Sequence, residues 1–187
     1  MTTVVFDISM SLDGYITDVE QTPENGLGRE GERLHAWLGG TDEDLAALTP
    51  ATAIVTGHRT LVDSLPYWGA DGPSGERRIP VMVLSRSGGS ELPADSVYRF
   101  ADSPAAALRL ARELAGDGDV CVMGGAMTAQ SFFAEDLIDE VSLHLMPVMF
   151  GGGTRLFDGL PPRLTELEQL SVVPTKLATH LRYRVVR

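Results

Sequence analysis

Short apolar segments alternate with polar, glycine-bearing segments through the first two thirds of the chain. Short apolar runs favour buried strands, whereas apolar residues recurring every three or four positions favour helices. The predicted strands are 4–10, 53–56, 79–84 and 119–123, and the predicted helices are 32–38, 42–48, 58–65, 103–115 and 126–134. Ser103 followed by a proline is a typical helix start, and Pro66 is expected to end the helix before it.

The pattern changes after residue 137. Residues 141–146 and 177–185 alternate between apolar and polar side chains, which predicts half-buried antiparallel strands. Strand–helix alternation followed by a run of strands is typical of an α/β fold in which a parallel sheet has an antiparallel C-terminal edge. With 187 residues and 43% hydrophobic content, the chain is expected to form a single domain over residues 1–187.

Three strand ends carry residues suited to phosphate binding. Residues 120–123 lead into Gly124-Gly125 and then into a helix start. Glycine lets backbone approach a ligand, and a helix start offers N–H groups and the positive end of the helix dipole. Residues 56–60 and 84–87 repeat the arrangement. Each turn alone can be ordinary α/β architecture, but three together predict a phosphate site.

Charge and cysteine content narrow the function classes. A net charge of −11 and a pI near 4.7 argue against nucleic acid or an anionic membrane as partner. The single cysteine, Cys121, excludes an internal disulfide and a multi-cysteine metal site. Because it lies in an apolar segment, we expect a buried, inert thiol and no metal.

The segment at the start of the sequence has no basic region before its apolar residues. No apolar run approaches the length of a membrane span. Both observations predict a soluble, cytoplasmic protein.

Five motifs together resemble the reductase (C-terminal) domain of the bacterial riboflavin biosynthesis deaminase-reductase, which shares the dihydrofolate reductase fold. They are Ser11–Ile16, Gly57–Thr60, Val83–Arg86, Met123–Ala126 and Asp139–Phe157. The resemblance covers nearly the whole chain. It implies a three-layer α/β fold with a mixed, mostly parallel eight-stranded sheet, antiparallel C-terminal strands and flanking helices.

The resemblance also implies NADPH as cofactor, held where the three phosphate motifs lie. The implied cofactor-binding residues are Thr56, Gly57, His58, Arg59, Thr60, Leu84, Ser85, Arg86, Gly124, Gly125, Ala126, Met127 and Thr128. The first group opens a helix toward phosphate oxygens, and Ser85 with Arg86 is expected to meet the adenosine 2′-phosphate. The two glycines would let the pyrophosphate and nicotinamide side lie close to backbone.

The sequence differs from dihydrofolate reductases and from riboflavin-pathway reductases at positions expected to contact the substrate. Residues 32–38 have no acid at the position where dihydrofolate reductases hold the pterin, since Glu32 is misaligned. Asp7 stands where riboflavin-pathway reductases often have a lysine. We therefore expect an NADPH-dependent reductase of a small pterin- or aminopyrimidine-like heterocycle, without a deaminase domain. The alternative is a non-catalytic NADP-binding or dimerising module on the same scaffold.

Asp7 and Asp13 are the candidate catalytic residues. A carboxylate within an apolar strand is costly to bury unless it is paired, hydrogen-bonded or open to a ligand. Asp7 is therefore predicted either to grip an amino-heterocycle or to be a satisfied structural carboxylate. Asp13 is predicted either to order a loop over the nicotinamide or to serve ordinary turn chemistry.

The late strands suggest two further features. His144 and His180 alternate with the apolar set, so we expect them on the surface or as a cross-strand pair. The same strands expose a sheet edge, and pairing of a second copy there would hide it. A homodimer is therefore predicted.

Overall fold

This computed structural model describes residues 2–46, 48–86, 92–160 and 162–187. Within these ranges the strands are β1 (Val4–Ser11), β2 (Ala51–Gly57), β3 (Val81–Leu84), β4 (Tyr98–Ala101), β5 (Asp119–Val122), β6 (Glu140–Met146), β7 (Leu167–Pro174) and β8 (Thr179–Val185). The α-helices are α1 (Asp42–Ala46), α2 (His58–Trp68), α3 (Pro104–Ala115) and α4 (Ala126–Ala134), and 3₁₀ helices cover Gly31–Gly39 and Gly75–Arg77. None of these helices is long and apolar enough to cross a bilayer.

The chain divides into two compact units. The first consists of Met1–Val4 and Pro50–Leu137, and the second of Val5–Thr49 and Ile138–Arg187. A single domain over residues 1–187 stays a prediction.

Parallel strands build the first unit. β2 pairs with β3 on one side and with β5 on the other, and β4 pairs with β3, which gives the order β4-β3-β2-β5. The chain runs outward from β2 to β4, and α3 then carries it back to β5. The four strands end at the same edge, and the direction in which strands are added reverses between β2 and β5.

The core of the first unit is formed by β-branched and aromatic side chains from these strands and by Leu61 of α2. Its buried members include Ile54, Leu61, Val81, Val83, Tyr98 and Cys121. The Tyr98 hydroxyl donates a hydrogen bond to the Gly69 carbonyl at 2.9 Å. The predicted burial of the Cys121 side chain is confirmed.

In the second unit, β1 pairs with β6 in parallel, whereas β6–β8 and β8–β7 are antiparallel. The order is β1-β6-β8-β7. The mixed eight-stranded sheet with antiparallel C-terminal strands and flanking helices is therefore confirmed. One detail was wrong, because β6 was predicted to be antiparallel and is so only toward β8.

Two strands had no prediction. β7 is exposed at almost every position. Its apolar residues do not alternate with polar ones as they do in a half-buried strand. β4 is only four residues long. Neither strand carries the periodic pattern that a sequence prediction needs.

The prediction that Pro66 ends its helix was wrong. α2 continues through Pro66 to Trp68. The proline lies in the last turn, where its missing N–H removes one hydrogen bond near the helix end. The helix then closes on the Gly69 N–H, which donates to the Leu65 carbonyl at 3.0 Å.

Replacing Leu61 by alanine is expected to lower the free energy of unfolding by about 2–5 kcal/mol. Leu61 is fully buried, so Leu61→Ala loses apolar burial and leaves a cavity. Urea denaturation measures the effect. The neighbouring Val62 is 46% exposed, and Val62→Ala should change the free energy by less than about 1 kcal/mol. Equal effects of the two substitutions would contradict this packing.

Candidate functional site

The three phosphate motifs follow β2, β3 and β5, which are parallel and therefore end at one edge of the first unit. Gly57 ends β2 and pairs in register with Leu84, the last residue of β3. Gly124 and Gly125 follow β5, on the other side of β2. In open α/β sheets, ligands bind at the carboxyl ends of strands where the strand order reverses. The carboxyl ends of the neighbouring strands β2 and β5 are such a point.

Two threonine hydroxyls lie close to the backbone of Gly124. Its φ of +117° lies in a region that side chains rarely adopt. A Cβ at this position would lie 2.9 Å from Thr56 Oγ1 and 3.0 Å from Thr60 Oγ1. The turn after β5 therefore requires glycine for both its conformation and its close packing.

Gly57 has the same role on the facing turn. A Cβ at Gly57 would lie 2.5 Å from Thr128 Oγ1, in the first turn of α4. The Thr60 hydroxyl accepts a hydrogen bond from the Gly125 N–H at 3.2 Å. We call the following residues the hydroxyl–glycine cluster: Thr56, Gly57, Thr60, Gly124, Gly125 and Thr128.

Two helices begin at this cluster. Gly57 is the N-cap of α2 and Gly125 is the N-cap of α4. A glycine cap has no side chain to accept hydrogen bonds from first-turn N–H groups, and each helix start carries the positive end of its dipole. Together they form a site suited to anionic oxygens.

The Thr56 hydroxyl is buried and finds no hydrogen-bond partner among the described residues. A buried hydroxyl without a partner costs free energy, and such groups are uncommon in folded proteins. Thr56 lies at the carboxyl end of β2, beneath Gly124. An unsatisfied group at this point fits a site completed by a polar ligand.

The other predicted cofactor residues surround the cluster with different degrees of exposure. Arg59 is exposed and forms an ion pair with Asp63, with 3.5 Å between Nε and Oδ2. Ser85 and the exposed Arg86 line a shallow cavity of about 520 Å³, together with Arg109 and other residues. The remaining four are Leu84, half-buried; Ala126, buried; Met127, 81% exposed; and His58, whose ring centroid is 6.4 Å from that of Phe100.

Asp7 lies on β1 of the second unit and is both hydrogen-bonded and partly open. The Thr49 hydroxyl donates to Asp7 Oδ2 at 2.6 Å, and His144 Nε2 lies 3.1 Å from Asp7 Oδ1. The Asp7 side chain is 14% exposed. The hydrogen bonds explain why the strand tolerates this carboxylate, and the exposed part leaves it accessible.

His144 and His180 form a buried cross-strand pair, so the surface alternative was wrong. They face each other in register on β6 and β8, and their Nδ1 atoms are 2.7 Å apart. Both side chains are almost fully buried, at 1% and 4% exposure. The Trp37 ring packs on them, with centroid distances of 4.0 Å to His144 and 5.1 Å to His180.

Asp44 ends this line of groups. Its Oδ1 lies 3.1 Å from His180 Nε2, and its side chain is 1% exposed. The hydroxyl of Thr175 and the backbone N–H of Thr41 donate to the carboxylate and, with His180, hold the pKa of Asp44 well below its usual value. Sequence analysis missed Asp44 because 136 residues separate it from His180, so no spacing signal joins them.

The Asp13 carboxylate links two loops of the second unit by hydrogen bonds. It accepts hydrogen bonds from the Ser11 hydroxyl at 2.7 Å and from the N–H groups of Phe150 and Gly151 at 3.2 and 2.7 Å. The Ser11 hydroxyl is the largest cause that lowers the pKa of Asp13. These contacts hold the turn after β1 against the segment after β6.

The sequence matches a known protein family. The model of the RibD C-terminal domain matches residues 2–181. The chain belongs to the RibD C-terminal domain family. No protein of curated function matches it at a significant level.

Solved structures in this family resemble the chain along its whole length. A putative riboflavin biosynthesis protein from Shewanella sp. PV-4 is 26% identical, with a TM-score of 0.71 and 100% of both chains covered. A diaminohydroxyphosphoribosylaminopyrimidine deaminase/5-amino-6-(5-phosphoribosylamino)uracil reductase from Thermotoga maritima is 18% identical, with a TM-score of 0.67. Acinetobacter baumannii RibD is 16% identical, with a TM-score of 0.66.

The chain aligns over 99% of its length with 57% of the Thermotoga protein, and over 100% with 59% of the Acinetobacter protein. It therefore spans little more than half the length of these two proteins. Membership of the RibD C-terminal domain family, with reductases among its neighbours, supports an oxidoreductase.

Replacing Thr56 by valine is expected to raise the free energy of unfolding of the ligand-free protein by about 1 kcal/mol. Thr56→Val keeps the shape of the side chain and removes a buried hydroxyl without a partner. Thr52 is the matched control at the other end of β2. Its hydroxyl donates to the Ala115 carbonyl at 3.0 Å, so Thr52→Val should not stabilise the protein. A clear loss of stability in Thr56→Val, measured by urea denaturation, would contradict the assignment of an unsatisfied hydroxyl.

Acid is expected to destabilise the protein in part through Asp44. Because its pKa is lowered on folding, Asp44 stabilises the native state above its ordinary pKa of 3.8, and this contribution is lost as the pH falls below that value. Asp44→Asn should be less stable than wild type at pH 7 and should lose less stability between pH 5 and pH 2. Asp42→Asn, on the exposed surface of the same helix, is the control and should follow wild type. Identical acid profiles of Asp44→Asn and wild type would refute this role.

Proposed function

We propose that the chain is an NADPH-dependent reductase that transfers hydride to a small heterocycle of pterin or aminopyrimidine type. The observation that carries the proposal is the unsatisfied Thr56 hydroxyl in the hydroxyl–glycine cluster, at the point where the order of parallel strands reverses. Family membership favours a reductase.

The cluster would hold the pyrophosphate. The glycine-capped starts of α2 and α4 supply N–H groups and two positive dipole ends for its oxygens. The Thr60 hydroxyl accepts from the Gly125 N–H, so its own proton is available to donate to a phosphate oxygen. Donors preorganised in this way bind an anion without rearranging.

Ser85 and Arg86 would bind the adenosine 2′-phosphate. They follow β3 and line the shallow cavity described above, which is also lined by Arg109 and by the acidic residues Asp102 and Glu113. A guanidinium matches two phosphate oxygens at once, which favours NADPH over its counterpart without this phosphate. The exposed Arg59 would supply a further cation at the start of α2.

NADPH would supply the hydride, and this chain's residues would provide the proton and the grip on substrate. Asp7 is our candidate for both tasks, since its carboxyl group is partly exposed and hydrogen-bonded by Thr49 and His144. Asp13 would keep the loop after β1 ordered through its three hydrogen bonds. The name of the Thermotoga protein includes an aminopyrimidine-derived reductase substrate, which favours that class for this chain.

We also infer a cytoplasmic homodimer without nucleic-acid or membrane partners. The net charge of −11 disfavours polyanions. β7 exposes Leu167, Val172 and Val173 by 37–47%, a composition that favours cover by another chain.

Binding of NADPH, followed by its fluorescence, is the first test of this function. Thr60→Val should weaken binding about tenfold, since it removes one hydrogen bond to a charged group worth about 1.5 kcal/mol. Thr52→Val, far from the cluster on β2, should bind like wild type. Absence of NADPH binding by wild type would overturn the proposal.

Consumption of NADPH with a panel of dihydropterins and aminopyrimidines then tests catalysis. We expect turnover with at least one member of the panel. Binding without any turnover would favour the non-catalytic module instead.

A further inference from the structure

The second unit contains four titratable side chains in one hydrogen-bonded line. The proposed reductase function gives a role to only one of them, Asp7. The line runs Asp7–His144–His180–Asp44, with distances of 3.1, 2.7 and 3.1 Å between consecutive polar atoms. Asp7 is 14% exposed, whereas the other three side chains are 1–4% exposed. A proton can therefore enter or leave this line through Asp7.

The hydrogen-bond geometry determines how many protons the line holds. Two nitrogen atoms 2.7 Å apart need one proton between them, because two lone pairs would repel and two N–H groups would collide. At the closed end, the Asp44 carboxylate accepts hydrogen bonds from Thr175 and Thr41, which keeps it ionised. His180 Nε2 consequently carries a proton that it donates to Asp44.

One more proton is needed at the open end. The contact between His144 Nε2 and Asp7 Oδ1 requires a proton on one of these two atoms. If it resides on Asp7, both imidazoles are neutral; if it resides on His144 Nε2, Asp7 is ionised and the pair carries one positive charge. The two arrangements have the same number of protons, three on Asp7, His144 and His180 together, and differ by a shift along one hydrogen bond.

We propose that His144, His180 and Asp44 are positioning residues that hold the proton shared between His144 and Asp7, so that Asp7 acts as the proton donor in the reduction. This inference rests on the proposed function. Reduction of a double bond in the acceptor takes one hydride from NADPH and one proton from Asp7. The line then changes from a net charge of −1 to −2 and regains its proton from water at Asp7.

The surroundings support retention of this proton. Loss of the proton leaves either two facing lone pairs at the Nδ1 contact or a lone pair facing the Asp7 carboxylate, both in a nearly dry site. The Trp37 ring covers the imidazoles, and its Nε1–H donates to Ser9 Oγ at 2.9 Å rather than to either histidine. Within the described part of the chain, His144 also interacts electrostatically with His35, on the 3₁₀ helix Gly31–Gly39.

Nuclear magnetic resonance of the ¹⁵N-histidine-labelled protein tests the proton count without any substrate. We expect a strongly deshielded proton shared by the Nδ1 atoms of His144 and His180. In His180→Gln that proton signal should vanish, because the variant lacks one of the two nitrogen atoms that share it. His35→Gln, a matched change at an exposed histidine, should retain the shared proton. Absence of a shared, deshielded proton from the wild-type spectrum would overturn the proposal.

The pH profile of hydride transfer tests the catalytic role. With a substrate from the panel, the pH profile of kcat should differ between wild type and His180→Gln, because the variant lacks the imidazole that shares a proton with His144. NADPH affinity should be unchanged, since the cofactor residues belong to the first unit, and this also verifies that the variant folds. His35→Gln should keep the wild-type profile.

The milder variant Thr175→Val removes a hydrogen bond to Asp44 and keeps all four groups of the line. The pH profile of its kcat should lie between those of wild type and His180→Gln. Equal pH profiles in wild type and His180→Gln would refute the relay even if NADPH-dependent reduction is observed. Conversely, the resonance experiment decides the proton count even if no member of the panel is reduced, so failure of the relay and failure of the proposed function are distinguishable.

Discussion

Parallel pairing of β2 with β3 and with β5 is the constraint on which the candidate cofactor site depends. It brings residues 56–60, 84–86 and 124–128, which are far apart in the sequence, to one edge of the first unit. The close approach of the two turns then requires glycine at 57 and 124, because any Cβ would overlap a threonine hydroxyl. One pairing pattern thus explains the strand ends, the glycines and the two helix starts.

Features with a local signal were predictable from the sequence. The strand ending before Gly124, the helix Ala126–Ala134 and the capped start of α3 each depend on neighbouring residues, and each was found close to its predicted position. The resemblance added what local signals cannot supply, namely the number of strands in the sheet. Pro66 misled the prediction because its effect depends on how close the helix is to its end.

The polar line of the second unit was not predictable, because its contacts are set by strand register and by loops distant in sequence. The alternation of apolar and polar residues predicted the strands that carry His144 and His180. It did not decide whether imidazoles on the polar face lie at the surface or form a cross-strand pair. Only the pairing of β6 with β8 decides between them. The partners Thr49 and Asp44 lie in segments with no motif, so burial alone reveals them.

A purely structural explanation of that line is incomplete on energetic grounds. Apolar side chains of similar volume commonly stabilise a core as well as a buried polar network does, or better. Donors from Thr175 and Thr41 satisfy Asp44 fully at the closed end, whereas Asp7 at the other end remains partly exposed. A network that served packing alone would gain nothing from one open carboxyl group joined to a histidine pair that must retain a proton. This asymmetry is the physical reason to connect the line with proton supply rather than with stability.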